Sequence, residues 1–236
     1  NLVDSTHQVQ DAYSLRCAPQ VQGAVRDCVD YVEKVIGREI NAVTDNPLIF
    51  EPGIALSGGN FHGEPIGISM DMLGIALSEL GAISERRTFR LTDEHLSNGL
   101  PPMLVDQNKN AGLNSGLMIP QYTAASLVLE NQTLATPDSI RSLPTSSNQE
   151  DHNANSMTAA RHAYEIADNV RQILSIELFT AVHAIDLRMK QTKVQLGKGT
   201  GRIYSEIREL VPYSAKDALW GPEIHKINSL IKNREI

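Results

Sequence analysis

The sequence has 236 residues, 41% hydrophobic and 21% charged, a length and balance that fit one large or two small globular domains and exclude disorder. A formal net charge of −7 argues against nucleic acid as a partner, because phosphate binding needs a basic surface. Two cysteines, Cys17 and Cys28, exclude a disulfide framework and show no metal-ligand spacing, and no uncharged apolar run reaches membrane-spanning length, so a reducing compartment, the cytoplasm, is expected.

The chain opens on Asn1 rather than Met, with no basic region leading into an apolar one, and reads as a fragment, a processed product or one piece of a split protein. Helical periodicity then dominates. From Pro19 to about Val43, apolar residues recur at Val21, Val25, Cys28, Val32, Ile36 and Ile40, one stripe of an amphipathic helix. Thr44-Asp45-Asn46-Pro47 ends it, since a residue before proline avoids the helical region. A glycine-marked loop follows, and a second helix is expected from about Pro65 to Arg90, with Met70, Leu73, Leu77 and Leu80 in its stripe. A polar loop from Asn98 to Asn110 precedes a third helix, about Ser115 to Ala135. A fourth runs from near Ala154 to about Val194 and carries Met157, Ala160, Ile166, Val170, Ile173, Leu174, Ile176, Leu178, Val182 and Leu187. Gly197, Gly199 and Gly201 mark a loop before two shorter closing helices, and no segment alternates with the period of a strand. The fold class is therefore all-α, a bundle of long near-antiparallel helices. The second and third helices are apolar on more than one face, so they need cover from absent segments or from other subunits.

Three polar loops adjoin helix ends. They are Gln10-Asp11-Ala12-Tyr13-Ser14-Leu15-Arg16, Ser57-Gly58-Gly59-Asn60-Phe61-His62-Gly63 and Leu143-Pro144-Thr145-Ser146-Ser147-Asn148-Gln149-Glu150-Asp151-His152. By composition alone each is a capped loop. Together, and in this order, they are similar to loops of the aromatic amino acid ammonia-lyases, and most closely of the histidine-specific members. Asn41–Pro47 and Gly112–Ile119 match that family as well, so the resemblance runs from Val9 to about Leu187 and more weakly to the end. It covers the C-terminal half of such an enzyme.

The resemblance implies elimination of ammonia and a β-proton from an amino acid, giving urocanate when the substrate is histidine. It implies a methylidene-imidazolone electrophile, formed autocatalytically from an internal Ala-Ser-Gly, and general-base chemistry beside it. It implies a homotetramer whose active sites draw on several chains, with a small amino acid as ligand and no metal. Arg16 would anchor the substrate carboxylate through its planar fork, and Tyr13, three residues earlier and so on one face with it in a turn or helix start, would assist proton movement. Gln10 would extend the same face and hydrogen-bond within the site, Phe61 and Asn60 would shape it, and Glu150 would serve the amino group or imidazole. Plainer readings stand beside these: a surface salt-bridge arginine, a buried tyrosine, a core phenylalanine, a His62 that braces its loop, a glutamate at a helix N-terminus.

Two departures stand out. After His152 the chain reads Asn153-Ala154-Asn155-Ser156-Met157, where the family's link is shorter. Aligning backward from Asn155 moves His152 toward the glutamate position; the gapless match from Leu143 to His152 favours Glu150. The sequence also holds no Ala-Ser-Gly, the nearest string being Leu56-Ser57-Gly58. Rival readings are a phenylalanine or tyrosine ammonia-lyase or aminomutase, and a non-catalytic helical scaffold. The fumarase and argininosuccinate lyase group shares the chemistry, but its Gly-Ser-Ser loop is not found.

Overall fold

A computed structural model describes residues 10–106 and 112–233. Val9 and the stretch 107–111 of the expected polar loop lie outside the described residues. In chain order the elements are α1 (Tyr13–Arg16), α2 (Ala18–Glu39), β1 (Leu48–Glu51), β2 (Ile54–Leu56), α3 (Glu64–Thr92), α4 (Met118–Leu134), α5 (Ser156–Gln191), α6 (Lys198–Leu210) and α7 (Trp220–Lys232), with 3-10 turns at Pro102–Leu104 and Ser146–Asn148. The all-α class holds.

Two expectations need correction. The segment 48–56 is an antiparallel hairpin, pairing Leu48 with Leu56 and Ile49 with Ala55. Neither face of it is buried: Ile49 is 69% exposed and Phe50 65%. With no buried face, nothing demands alternation of apolar and polar residues, and the strands carry none. Gly199 and Gly201, expected in a loop, lie in the first turns of α6. Glycine costs a helix about 1 kcal/mol; the burial of Ile207, with Ile203 packed beside it on the core, offsets that.

The chain divides into two compact units. One takes the chain up to Val21, Gly81–Leu129 and Asn169 onward; the other takes Gln22–Leu80 and Glu130–Asp168. The core of the first gathers Leu104, Leu117, Ile173, Ile176, Phe179 and Ile207, all at most 2% exposed. Each contributes about 1.5–3 kcal/mol by leaving water. Gly116 closes this core: its φ is +60°, and a Cβ there would stand 2.3 Å from the Met103 carbonyl oxygen.

The second unit packs Val32 of α2 and Met70 of α3 against Ala159 and Ala163 of α5. Small residues let the backbones approach. A Cβ on Gly67 would stand 2.7 Å from the Ala154 carbonyl oxygen, so this glycine lets α3 pass directly under the chain entering α5. Asp71, one turn further along α3, accepts the Asp138 and Ser139 amides at 3.0 and 2.9 Å. Asp138 in turn meets His162 of α5 at 2.7 Å. These contacts fix the start of the 138–155 segment, which carries Glu150.

By composition alone α3 is apolar enough to cross a membrane, with a mean hydropathy of 1.5 over 18 residues, although no uncharged run in the sequence is that long. Three of its polar side chains are nonetheless matched inside the protein. Ser78 donates to the Gly74 carbonyl, Ser84 donates to Glu177, and the buried Glu85 accepts from Gln121. That is the pattern of a bundle helix.

Candidate active site

Residues 12–17 of the first unit form a single helical turn. The Leu15 and Arg16 amides both donate to the Ala12 carbonyl at 3.0 Å, and the Cys17 amide to the Tyr13 carbonyl at 2.9 Å. A spacing of three therefore puts Tyr13 and Arg16 on one face. The Arg16 guanidinium carbon lies 4.5 Å from the centre of the Tyr13 ring, a cation–π distance. Arg16 Nε donates to the Asp11 carbonyl at 2.9 Å. Among the described residues that is the one hydrogen bond of the guanidinium, so its two terminal nitrogens keep their donors. Tyr13 is 70% exposed and is not a buried tyrosine. Gln10, expected on the same face, lies in the bend before the turn; the helix begins only at Tyr13, so helical spacing does not carry Gln10 there.

In the second unit the Asn60–Phe61 loop is tied at both ends. The Gly58 amide donates to Asn46 Oδ1 at 2.9 Å. The His62 amide donates to the Gly59 carbonyl at 3.0 Å and closes the turn that presents Asn60 and Phe61. Both are exposed, Phe61 by 52%, so it is no core phenylalanine. His62 reaches across to the other loop: its Nε2 lies 2.8 Å from the His152 carbonyl oxygen. The two imidazoles stack with centroids 5.9 Å apart and planes 10° from parallel.

Glu150 lies on an exposed loop six positions before α5, not at the helix N-terminus. Ser146, Ser147 and Asn148 have φ of 52°, 53° and 71°, a left-handed reversal that L-residues adopt at a cost of about 1–2 kcal/mol each. Hydrogen bonds hold it. Thr145 and Glu150 exchange backbone bonds at 2.9 and 3.3 Å, and the Thr145 hydroxyl donates to Glu150 Oε2 at 2.7 Å. The Asn153 side-chain Nδ2 donates to the Leu143 carbonyl, to Thr145 Oγ1 and to the Glu150 carbonyl. Asn155 donates to the Asp138 and Arg141 carbonyls, both at 3.0 Å. The two asparagines in the unexpectedly long link after His152 are thus what fastens the Glu150 loop.

The aromatic amino acid lyase family model matches residues 2–209. The chain belongs to that family. It is 50% identical over 234 residues to the histidine ammonia-lyase of Chloroflexus aurantiacus, a match covering 97% of this chain and 44% of that protein. Among solved structures, the histidine ammonia-lyase of Trypanosoma cruzi superposes with a TM-score of 0.88 at 41% identity, covering 96% of this chain and 44% of that one. The tyrosine aminomutase of Streptomyces globisporus gives a TM-score of 0.89 at 36% identity, covering 99% and 44%. The chain spans somewhat under half the length of the relatives it matches.

For this aromatic amino acid lyase chain, the structure joins Tyr13 to Arg16 in the first unit and the Phe61 loop to the Glu150 loop in the second. The methylidene-imidazolone does not fit residues 1–236, because its parent tripeptide is absent from them. Leu56-Ser57-Gly58 leaves β2 on an exposed hairpin, and Gly58 is occupied with Asn46. Among the described residues no group of three or more His, Cys, Asp and Glu side chains could hold a metal. Sequence reasoning missed Asp71, Asn153 and Asn155. Asp71 gave no signal, sitting inside an apolar helix; the asparagines were visible only as a departure in length.

Proposed function

We propose that this chain is the C-terminal, helical part of a histidine ammonia-lyase, which eliminates ammonia from L-histidine to give urocanate. The observation that carries the proposal is the Tyr13–Arg16 turn, an arginine fork laid against a tyrosine with its two terminal nitrogens making no hydrogen bond among the described residues, in a chain half identical to a histidine ammonia-lyase.

In this reading Arg16 binds the substrate carboxylate through two parallel N–H bonds, which fixes both position and orientation. Tyr13, beside it, moves a proton through its phenol. Glu150 accepts a hydrogen bond from the amino group or the imidazole of the substrate. Phe61 packs on the ring, while Asn60 and Gln10 donate or accept at the edges. The electrophile of the family, a methylidene-imidazolone, would have to come from an Ala-Ser-Gly that residues 1–236 do not contain. Every one of these side chains is exposed, which suits a site completed by other segments and other subunits of a homotetramer. The two free thiols suit the cytoplasm.

The test is the complete protein, including its upstream sequence, assayed by ultraviolet absorbance for urocanate from histidine and for the corresponding products from phenylalanine and tyrosine. Turnover of histidine above both others is expected. The likeness to a tyrosine aminomutase favours a second reading, and formation of a β-amino acid from tyrosine would replace the first by it. A complete protein that turns over none of the three is a helical scaffold.

A further inference from the structure

We propose that His62, held as its neutral Nε2–H tautomer, is a positioning residue that clamps the Glu150 loop to the Phe61 loop. The inference rests on the functional reading above for its consequence, but not for its geometry.

Two contacts define the proton. Nε2 lies 2.8 Å from the His152 carbonyl oxygen, and a carbonyl only accepts, so Nε2 carries hydrogen. Nδ1 lies 3.3 Å from the Glu64 backbone nitrogen, and an amide N–H only donates, so Nδ1 presents its lone pair. One ring thereby joins the first residue of α3 to the His152 carbonyl, 90 positions from His62 itself. The His152 ring adds a stacked face at 5.9 Å. Its Nε2 stands 4.0 Å from Glu64 Oε2, which has no hydrogen bond among the described residues.

The clamp matters because little else sets the tip of this loop. Residues 143–152 are all exposed, so burial does not select their conformation. Asp71, Asn153 and Asn155 fix the base of the loop and its internal shape. His62 is what relates that shape to the neighbouring loop. His62 follows Phe61 directly, and the carbonyl it holds lies two residues after Glu150, so displacement of one loop against the other moves Phe61 relative to Glu150.

The experiment compares His62→Gln with His62→Asn in the complete protein. A glutamine amide nitrogen reaches the place of Nε2 and can still donate to the His152 carbonyl; an asparagine amide reaches only the place of Nδ1. Hydrogen exchange of the 143–153 amides reads the clamp directly. Exchange is expected to speed up by about tenfold or more in His62→Asn and to stay near wild type in His62→Gln. On the substrate the protein turns over, kcat should fall by roughly a hundredfold in His62→Asn, the consequence of a displacement of about 1 Å, and be largely retained in His62→Gln. Exchange in His62→Asn equal to wild type overturns the clamp at any level of activity. Faster exchange with unchanged kcat and KM overturns the positioning role. A wild-type protein inactive on histidine sinks the functional reading and leaves the exchange result standing by itself.

Discussion

Arg16 is placed by its own turn, with Nε on the Asp11 carbonyl and its plane over Tyr13. A fork set in advance loses little freedom on binding a carboxylate. In the complete protein Arg16→Ala should therefore lower kcat/KM by several orders of magnitude: losing a charge-assisted bond costs on the order of 1.5–3 kcal/mol, and misplacement adds roughly a hundredfold. Arg16→Lys should recover only part. A surface ion pair predicts an effect of at most about 1 kcal/mol, so steady-state kinetics on both variants, with folding checked by circular dichroism, decide the matter. His183 is 5% exposed and set among Phe179, Tyr213 and Trp220. Burial first, then the Arg208 charge, lower its pKa from 6.5 to about 4. The unfolded chain takes up that proton near pH 6.5 and the folded one only near 4, so His183 favours folding fully above 6.5 and this contribution is lost as pH falls between the two. The slope approaches about 1.4 kcal/mol per pH unit. Denaturant unfolding between pH 7 and 4.5 should show it, and His183→Gln should flatten it.

At the scale of elements, two glycines hold the packing, and they fail for different reasons. Gly116 combines φ of +60° with a carbonyl oxygen 2.3 Å from any Cβ. Gly116→Ala therefore adds backbone strain to a clash with backbone that cannot swing aside, and should lower stability by at least about 2 kcal/mol. Gly67 is helical and unstrained, but its Cβ would meet the Ala154 carbonyl oxygen at 2.7 Å. Gly67→Ala should push the 154–156 chain off α3 and loosen the 138–155 segment. Urea melts give the first effect, and hydrogen exchange at the Asp138 and Ser139 amides, which Asp71 now protects, gives the second. A Gly67→Ala protein with unchanged exchange there would show that the segment does not depend on this close approach.

At the scale of the whole molecule, the 236-residue chain alone leaves large apolar side chains in water. Ile68, Met72 and Ile75 of α3 are 43%, 40% and 46% exposed; Ile119, Tyr122 and Leu129 of α4 are 58%, 66% and 64% exposed. Such faces seek partners. Sedimentation at low micromolar concentration should find assemblies rather than a monomer; a monodisperse monomer would show that these faces need no cover. The same preparation should form no urocanate from histidine, since the sequence has no Ala-Ser-Gly from which the electrophile could arise. Turnover that follows the purified chain through fractionation would contradict this.

The helices and the candidate residues were legible in the sequence because both are local. Apolar periodicity located α2 to α5 within a few residues, and the buried Ile166, Val170, Ile173, Ile176, Val182 and Leu187 lie on the stripe expected of α5. Tyr13 and Arg16 share a face because a spacing of three needs only one turn of helix. The hairpin at 48–56 was not legible, since a strand exposed on both faces imposes no pattern. The support of the Glu150 loop was not legible either. Asp71 to Asp138, His62 to His152 and Asn155 to Arg141 join positions 67, 90 and 14 residues apart, and no local spacing encodes such pairs. The sequence by itself determined which helices form and which side chains are candidates for chemistry. Only the tertiary structure decided how the loop bearing Glu150 is held, because hydrogen bonds between distant residues exist only once the helices have packed.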